Sequence, residues 1–416
     1  MKGQVITMAQ KFPFGIWNYC PLSESKLTDI DDWAECGLTV TMAPAISMEN
    51  DDPRDLLPFL DRAAEHDMKL MINVRDLSYG TYANEGAEAY EKKLRTLHEI
   101  FKGHPALYGY VVGDEPTTPE HIEASVQCMK IQRQMDDTLS PYLNLAGAHT
   151  LALSPEYFGG RTYPEWLKYM VDESGFAVCC FDEYSQTINN VEGYHIYFRT
   201  VKPHVEAADA AGADMWGCLL SSAHIVFNKP TEHQFRWQIN VSAALGCRGI
   251  FWFRFYDRVS APDFYGSPID EYGYKTDAFY ALLRCQRRFN DHYGEILMRL
   301  KRKSSYIVGD PRGNYPNFKP GDHEYILNAN IDDTGVLSFF EDDEGNEYLC
   351  IVNGCVKYFA SFKVEFDTEK CSLTELHRNG AVELPFGSDN FGLGTMTNDF
   401  GVYPAQLRLF RIDKKQ

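Results

Sequence analysis

Two places in this chain set acids at the end of an apolar run. Gly113-Asp114-Glu115-Pro116 follows Leu107–Val112, and Asp182-Glu183-Tyr184 follows Phe176–Phe181. A carboxyl at the rim of an apolar surface loses hydration and feels any negative neighbour, and both effects raise its pKa. An acid that keeps its proton near neutral pH can donate it to a leaving group. A second carboxyl, ionised, can attack or activate water. Acetal cleavage through an oxocarbenium-like transition state uses that pair. Glu115 is the candidate proton donor, and Asp182 and Glu183 compete for the second role. Adjacent strand residues point to opposite faces. If Phe181 faces the helices, Asp182 faces inward. Plain structural readings stand beside these: Glu115 as a loop residue ahead of Pro116, or one of the later acids paired with Arg254 or Arg75.

Other run ends carry groups that suit sugar hydroxyls or ring faces. They are Asp114, Arg75, Asp76, Asn144, His149, Tyr184, Trp216, His224, Trp252 and Tyr256. Singly, each is more often structural, and at least half of the aromatics after Gly249 must be core. Eleven cysteines are scattered without a CxxC pair or zinc-like spacing. No metal and no cofactor is expected.

These groups need a scaffold that gathers strand ends. Eight apolar runs read as strands: Phe14–Cys20, Leu38–Ala43, Lys69–Val74, Leu107–Val112, Tyr142–Ala146, Phe176–Phe181, Asp214–Leu219 and Gly249–Phe255. Their nearly continuous apolar character marks strands buried on both faces. Amphipathic segments fill the gaps. Thr118-Pro119 opens one as N-cap and first turn. Thr231-x-x-Gln234 opens another as a capping box, and Gly246 closes it. Eight strand–helix repeats over some 275 residues predict an α/β (β/α)₈ TIM barrel. An open doubly wound sheet would show a Gly-rich loop after its first strand, and Asn18-Tyr19-Cys20-Pro21 is not one. After about Lys303, short runs separated by Gly, Asn and Asp predict a smaller all-β domain, a β-sandwich. The expected division is a tail at 1–12, the barrel at 13–300 and the β domain at 301–416.

Composition bounds the partners. The formal charge is −19, which repels nucleic acid. The one basic run, Arg299–Lys303, reads as the exposed end of a helix. Aromatics at 14% suit a carbohydrate binder and suit a large core equally. No stretch is long enough to span a membrane, and the first twelve residues lack a signal-peptide core. Scattered cysteines read as reduced thiols. The expectation is a cytoplasmic protein with a carbohydrate substrate, no nucleic-acid or membrane partner, and self-association left open.

The stretch Gly109–Pro116 (GYVVGDEP) resembles the strand-four signature of clan A type barrel glycoside hydrolases. Asn228–Gln238 with Ala243–Phe253 resembles the helix-seven to strand-eight portion of their β-galactosidase-like members. Glu347–Asn353 and Gln406–Ile412 resemble the β-sandwich appended to many of them. The resemblance implies that Glu115 is the acid/base of a glycoside hydrolase (an O-glycosyl hydrolase), here expected to be exo-acting. Two departures stand out. Asp114 precedes the Glu where the family usually has Asn. The family's nucleophile Glu ends strand seven, and Trp216–His224 contains no Glu. An acid of strand six is expected to replace it. The alternatives are a non-hydrolytic carbohydrate-binding pseudoenzyme on the same barrel, or a sugar-acid lyase or isomerase.

Overall fold

The computed structural model describes residues 11–147, 154–174, 178–188, 191–259, 263–377, 380–383 and 392–415. Eight parallel strands form its first part: β1 (Phe14–Ile16), β2 (Val40–Met42), β3 (Lys69–Ile72), β4 (Leu107–Asp114), β5 (Tyr142–Leu145), β6 (Val178–Asp182), β7 (Asp214–Leu220) and β8 (Cys247–Phe253). They pair in the order β1-β8-β7-β6-β5-β4-β3-β2. At the remaining seam, β1 meets β2 partly through side chains. The Phe14 and Ile16 N–H groups donate to Thr39 Oγ1 (3.1 Å) and Thr41 Oγ1 (2.9 Å), and Thr39 N–H donates to the Phe14 carbonyl (2.7 Å). The ring is the expected (β/α)₈ barrel.

Ten helices of the described residues clothe it: α1 (Leu27–Cys36), α2 (Leu57–Glu65), α3 (Tyr79–Glu85), α4 (Ala87–Phe101), α5 (Pro119–Met135), α6 (Tyr163–Ser174), α7 (Val191–Ala211), α8 (Glu232–Ala244), α9 (Asp277–Phe289) and α10 (Glu295–Arg299). The capping signals act where the sequence puts them. Thr118 Oγ1 accepts from His121 N–H, and Thr231 and Gln234 form the reciprocal box that starts α8.

The barrel interior is solid. Met42, Met71, Tyr142, Cys180, Trp216 and Phe251 fill it from alternate positions of their strands. The residues between them face the helices. On β6, Phe181 lies against Tyr197 and His204 of α7. That alternation sets which strand-end residue reaches the mouth.

The second part is antiparallel: β9 (Lys301–Gly309), β10 (Ile326–Asn330), β11 (Thr334–Glu341), β12 (Glu347–Asn353), β13 (Ala360–Asp367), β14 (Cys371–His377), β15 (Gly380–Glu383), β16 (Thr395–Val402) and β17 (Leu407–Lys414). Six strands in the order β9-β11-β12-β17-β14-β15 face three in the order β10-β13-β16. One apolar core, with Leu337, Ile351, Phe362, Val364, Phe400 and Phe410, fills the space between them. The other face of the larger sheet joins the barrel core through Val336, Val352 and Leu409. Trp237 Nε1 of α8 seals the junction on the Gly354 carbonyl (2.9 Å).

Two sequence expectations change. Arg299 ends α10, but Lys301, Arg302 and Lys303 belong to strand β9. Strands β14 to β16 carry too many polar residues to stand out as apolar runs. Of the ten cysteines whose side chains the structure describes, eight are buried. Among the described residues no helix is long and apolar enough to cross a membrane.

Gly249 shows how tight the interior is. A Cβ there would sit 2.5 Å from the Trp216 ring. Gly249→Ala is expected to cost about 1–3 kcal/mol by overpacking, read as a lower urea midpoint.

Candidate active site

The C-terminal strand ends surround a cavity of about 120 Å³, lined by Trp17, Tyr19, Asp114, Asn144, Asp182, Tyr184, Cys218, His224 and Phe253. β1 stops at Ile16, earlier than the apolar run suggests, and this frees Trp17 and Tyr19 to line the mouth. A larger cavity, about 1080 Å³, lies at the other end of β7 and β8 against β9. Its acids Asp214 and Asp209 are paired with Arg248 and Arg302.

Two carboxyls, Asp114 and Asp182, line this cavity; Glu115 is not among the lining residues, but its charge acts on Asp182. β4 runs two residues further than its apolar stretch, so Asp114 is its last residue. Asp114 Oδ1 accepts from Asn144 Nδ2 of β5 (3.1 Å). Burial raises the Asp114 pKa, against the lowering effect of that amide. Glu115 follows, with its N–H on the Asn144 carbonyl (3.0 Å) and a φ of 42°. A non-glycine residue in the left-handed region is held there by its surroundings, and such strain clusters at functional sites. Burial and then the Asp114 charge push the Glu115 carboxyl up to about 7. Above it, Tyr79 lies where a Cβ on Gly113 would stand, and its hydroxyl donates to the Asp114 carbonyl (2.5 Å).

Asp182 ends β6 facing inward, two residues on from the interior Cys180. Its carboxyl is raised well above the usual range by burial first and by Glu115 second. The Tyr184 hydroxyl bonds it and opposes that shift, while Asp182 Oδ1 has no partner among the described residues. Tyr184 stacks on Phe253 at 5.4 Å and 13°. Glu183 turns the other way, is buried, and takes the Thr200 hydroxyl of α7 (2.7 Å). The two competitors from β6 are therefore separated: Asp182 lines the cavity and Glu183 anchors a helix.

The other sequence candidates divide. Asn144, Tyr184 and His224 line the cavity with Asp114. Asn144 Oδ1 and His224 Nδ1 are buried without a partner among the described residues. The His224 ring lies flat on Phe264 (4.1 Å, 7°). Five candidates stand elsewhere. Trp216 is a layer of the barrel plug below the mouth. Trp252 faces the helices, with Nε1 on Gln286 Oε1 of α9 (3.2 Å). The Tyr256 hydroxyl receives Trp33 Nε1 of α1. Asp76 clamps the loop after β2 by accepting from Ser47 Oγ and Met48 N–H, both at 2.7 Å. Arg75 is exposed beside it. His149 lies outside the described residues. Neither Arg75 nor Arg254 forms an ion pair with an acid of the mouth; Arg254 bonds the Tyr256 carbonyl and stacks on Phe264.

Trp17, Tyr19, Cys218 and Phe253 were not candidates by sequence. The signal for the last two was strand alternation: Cys218 follows the interior Trp216 by two, and Phe253 follows Phe251. Cys218 pairs in register with Asp182.

The architecture can now be set against known structures. The chain is similar to a family 5 glycoside hydrolase from Bacteroides vulgatus (TM-score 0.56, 12% identity, 97% of this chain and 88% of that one). It is similar to a family 39 glycoside hydrolase from Bacteroides cellulosilyticus (0.52, 11%, 97% and 81%). It is also similar to the cold-adapted β-galactosidase of Rahnella sp. (0.54, 9%, 72% and 58%). The chain has the fold of the barrel glycoside hydrolases. It spans 58–60% of the length of the β-galactosidases it matches. No family model matches the chain, and no curated protein matches it by sequence.

The raised acids have a cost in stability. Glu115 titrates near 4.5 unfolded and near 7 folded, so the folded state holds the proton more tightly. Stability must fall as pH rises from about 4.5 to 7, by up to about 3 kcal/mol from this group before solvent screening. Glu115→Gln is expected to unfold at a higher temperature than the parent at pH 8 and at nearly the same temperature at pH 4.5.

Proposed function

We propose that this protein is a glycoside hydrolase in which Glu115 donates the proton and Asp182 is the second carboxylate. One observation carries the reading. A cavity of about 120 Å³ at the barrel mouth holds Asp182 Oδ1, Asn144 Oδ1 and His224 Nδ1 without partners among the described residues, next to an acid poised near neutrality. A polyhydroxylated ring would satisfy such orphans, since buried polar groups need partners. Trp17, Tyr19 and Phe253 offer apolar faces for its C–H surfaces.

The roles follow from what each carboxyl touches. Glu115 is pushed up by burial and by Asp114, and among the described residues no hydrogen-bond donor holds its charged form. It is the group that keeps a proton. Burial and Glu115 raise Asp182 as well, and the Tyr184 hydroxyl works against that rise in favour of the carboxylate. The two interact strongly enough that they titrate as a pair. Substrate oxygen next to Glu115 takes the proton as the glycosidic bond breaks. The oxocarbenium-like carbon is met by Asp182, or by water that Asp182 deprotonates. The single small cavity favours release of one terminal sugar at a time.

Glu115→Gln is expected to lower kcat by about 10²–10⁴-fold on a glycoside with a poor leaving group. On a dinitrophenyl glycoside, whose leaving group needs no proton, the loss should be much smaller. The parent's activity should decline above about pH 7 as Glu115 ionises, and that alkaline limb should vanish with the activated substrate. Equal losses on both substrates would remove Glu115 from proton donation. Asp182→Asn should abolish turnover on both substrates. Glu183→Gln, which alters a contact with α7, should instead lower stability and leave kcat within about tenfold. Binding of sugars by the parent without any product would favour the binding-protein alternative.

A further inference from the structure

A second cavity, about 190 Å³, lies on the outer flank of the barrel, where α8 and α9 meet the segment entering β17. Arg236 and Asn240 line it from α8, Cys285 and Arg288 from α9, and His292 and Gln406 from beyond them. It is distinct from the mouth, which lies at the strand ends.

The charge here is unusual for this chain. The protein carries −19 overall, yet Arg236, Arg284 and Arg288 all act on the same Cys285. Glu232, the acid they share, is already forked by Arg284 Nη2 and Nε (2.6 and 3.2 Å). Among the described residues, neither Arg236 nor Arg288 forms an ion pair, and the one bond of Arg236 is a 3.4 Å contact with the Pro404 carbonyl. Cys285 does not neutralise them, because burial pushes its thiol up to about 12. Among the described residues, two guanidiniums thus share a concave space whose nearby acid, Glu232, is already held by Arg284.

We propose that this cavity binds a small organic phosphate. A phosphate monoester carries nearly two charges, which matches two guanidiniums, and arginine forks suit its oxygens. A monocarboxylate would leave one arginine unmet. The Gln406 amide and the Tyr403 phenol provide donors for hydroxyls on the ester's body, and Ile239, Phe289 and Leu407 provide an apolar wall. The site joins both parts of the molecule. Asn240 Nδ2 donates to the Ala405 carbonyl (2.7 Å), and the Tyr293 hydroxyl donates to the Leu407 carbonyl (2.9 Å). A ligand held by Arg236 and Arg288 would brace that junction.

The test is thermal unfolding and isothermal titration of the full chain with glucose 6-phosphate. Glucose, inorganic phosphate and potassium chloride at equal ionic strength serve as comparisons. Glucose 6-phosphate is expected to raise the melting temperature by several degrees, because a ligand of the folded state stabilises it by mass action. The chloride and glucose comparisons should not. Arg236→Met with Arg288→Met should weaken binding at least tenfold. Arg288→Met alone, at an exposed side chain, gives the same reading if the double variant does not fold. Asp182→Asn should bind glucose 6-phosphate like the parent. An equal response to chloride, unchanged binding in the arginine variants, or loss of binding in Asp182→Asn would overturn the proposal. Binding of inorganic phosphate but not of the ester would overturn the organic assignment.

Discussion

The chemistry of this molecule depends on repulsion between carboxyls in a mouth too dry to screen it. Two unit charges about 5 Å apart repel by about 3 kcal/mol at an effective dielectric of about 20. Burial adds to this for each group separately. Asp114, Glu115 and Asp182 therefore cannot all ionise at neutral pH without large cost. The Asn144 amide relieves Asp114 and the Tyr184 hydroxyl relieves Asp182. Glu115 receives neither, which suits the proton-donor role proposed for it. The asymmetry comes from the neighbours, since all three groups are ordinary carboxylic acids.

The scaffold makes that crowding affordable by spreading its support. Strand alternation fixes Asp114, Asn144, Asp182, Cys218 and Phe253 toward the mouth while their neighbours bind helices. The barrel plug of Trp216, Tyr142 and Phe251 closes the space below, so water reaches the acids only from above. The β-sandwich takes no part in lining the mouth. It covers α8, most of whose side chains are buried, and so holds the helix between β7 and β8. Its contribution to the site is to keep those two strand ends in place.

Much of this was legible from residue order. Eight apolar runs, each followed by a helical segment, specify a barrel because only parallel strands covered on both faces tolerate such continuous apolarity. Thr118-Pro119 and Thr231-x-x-Gln234 announced two helix starts, since capping is local chemistry. The acids after β4 and β6 stood out against apolar backgrounds. What residue order did not reveal was which face a residue takes when both faces are apolar. Trp252 and Phe253 are chemically alike, and only the closed ring decides that the first meets Gln286 and the second the cavity. Asp182 and Glu183 posed the same question, and the interior position of Cys180 answers it. The mouth aromatics Trp17 and Tyr19 were hidden because β1 ends early, at a point set by its partners. Strands β14 to β16 were hidden because a surface sheet alternates polar and apolar residues weakly.

The lack of an acid at the end of β7 then has a physical reading. The inward position there is Cys218, in register with Asp182 on the neighbouring strand. A glutamate in its place would set a fourth carboxyl beside Asp182, already raised by burial and by Glu115. The extra repulsion would fall on Asp182 first and would drive it to keep its proton. A neutral thiol, itself pushed up by burial, adds no charge and leaves Asp182 free to ionise. The acid on β6 and the thiol on β7 are thus two halves of one arrangement.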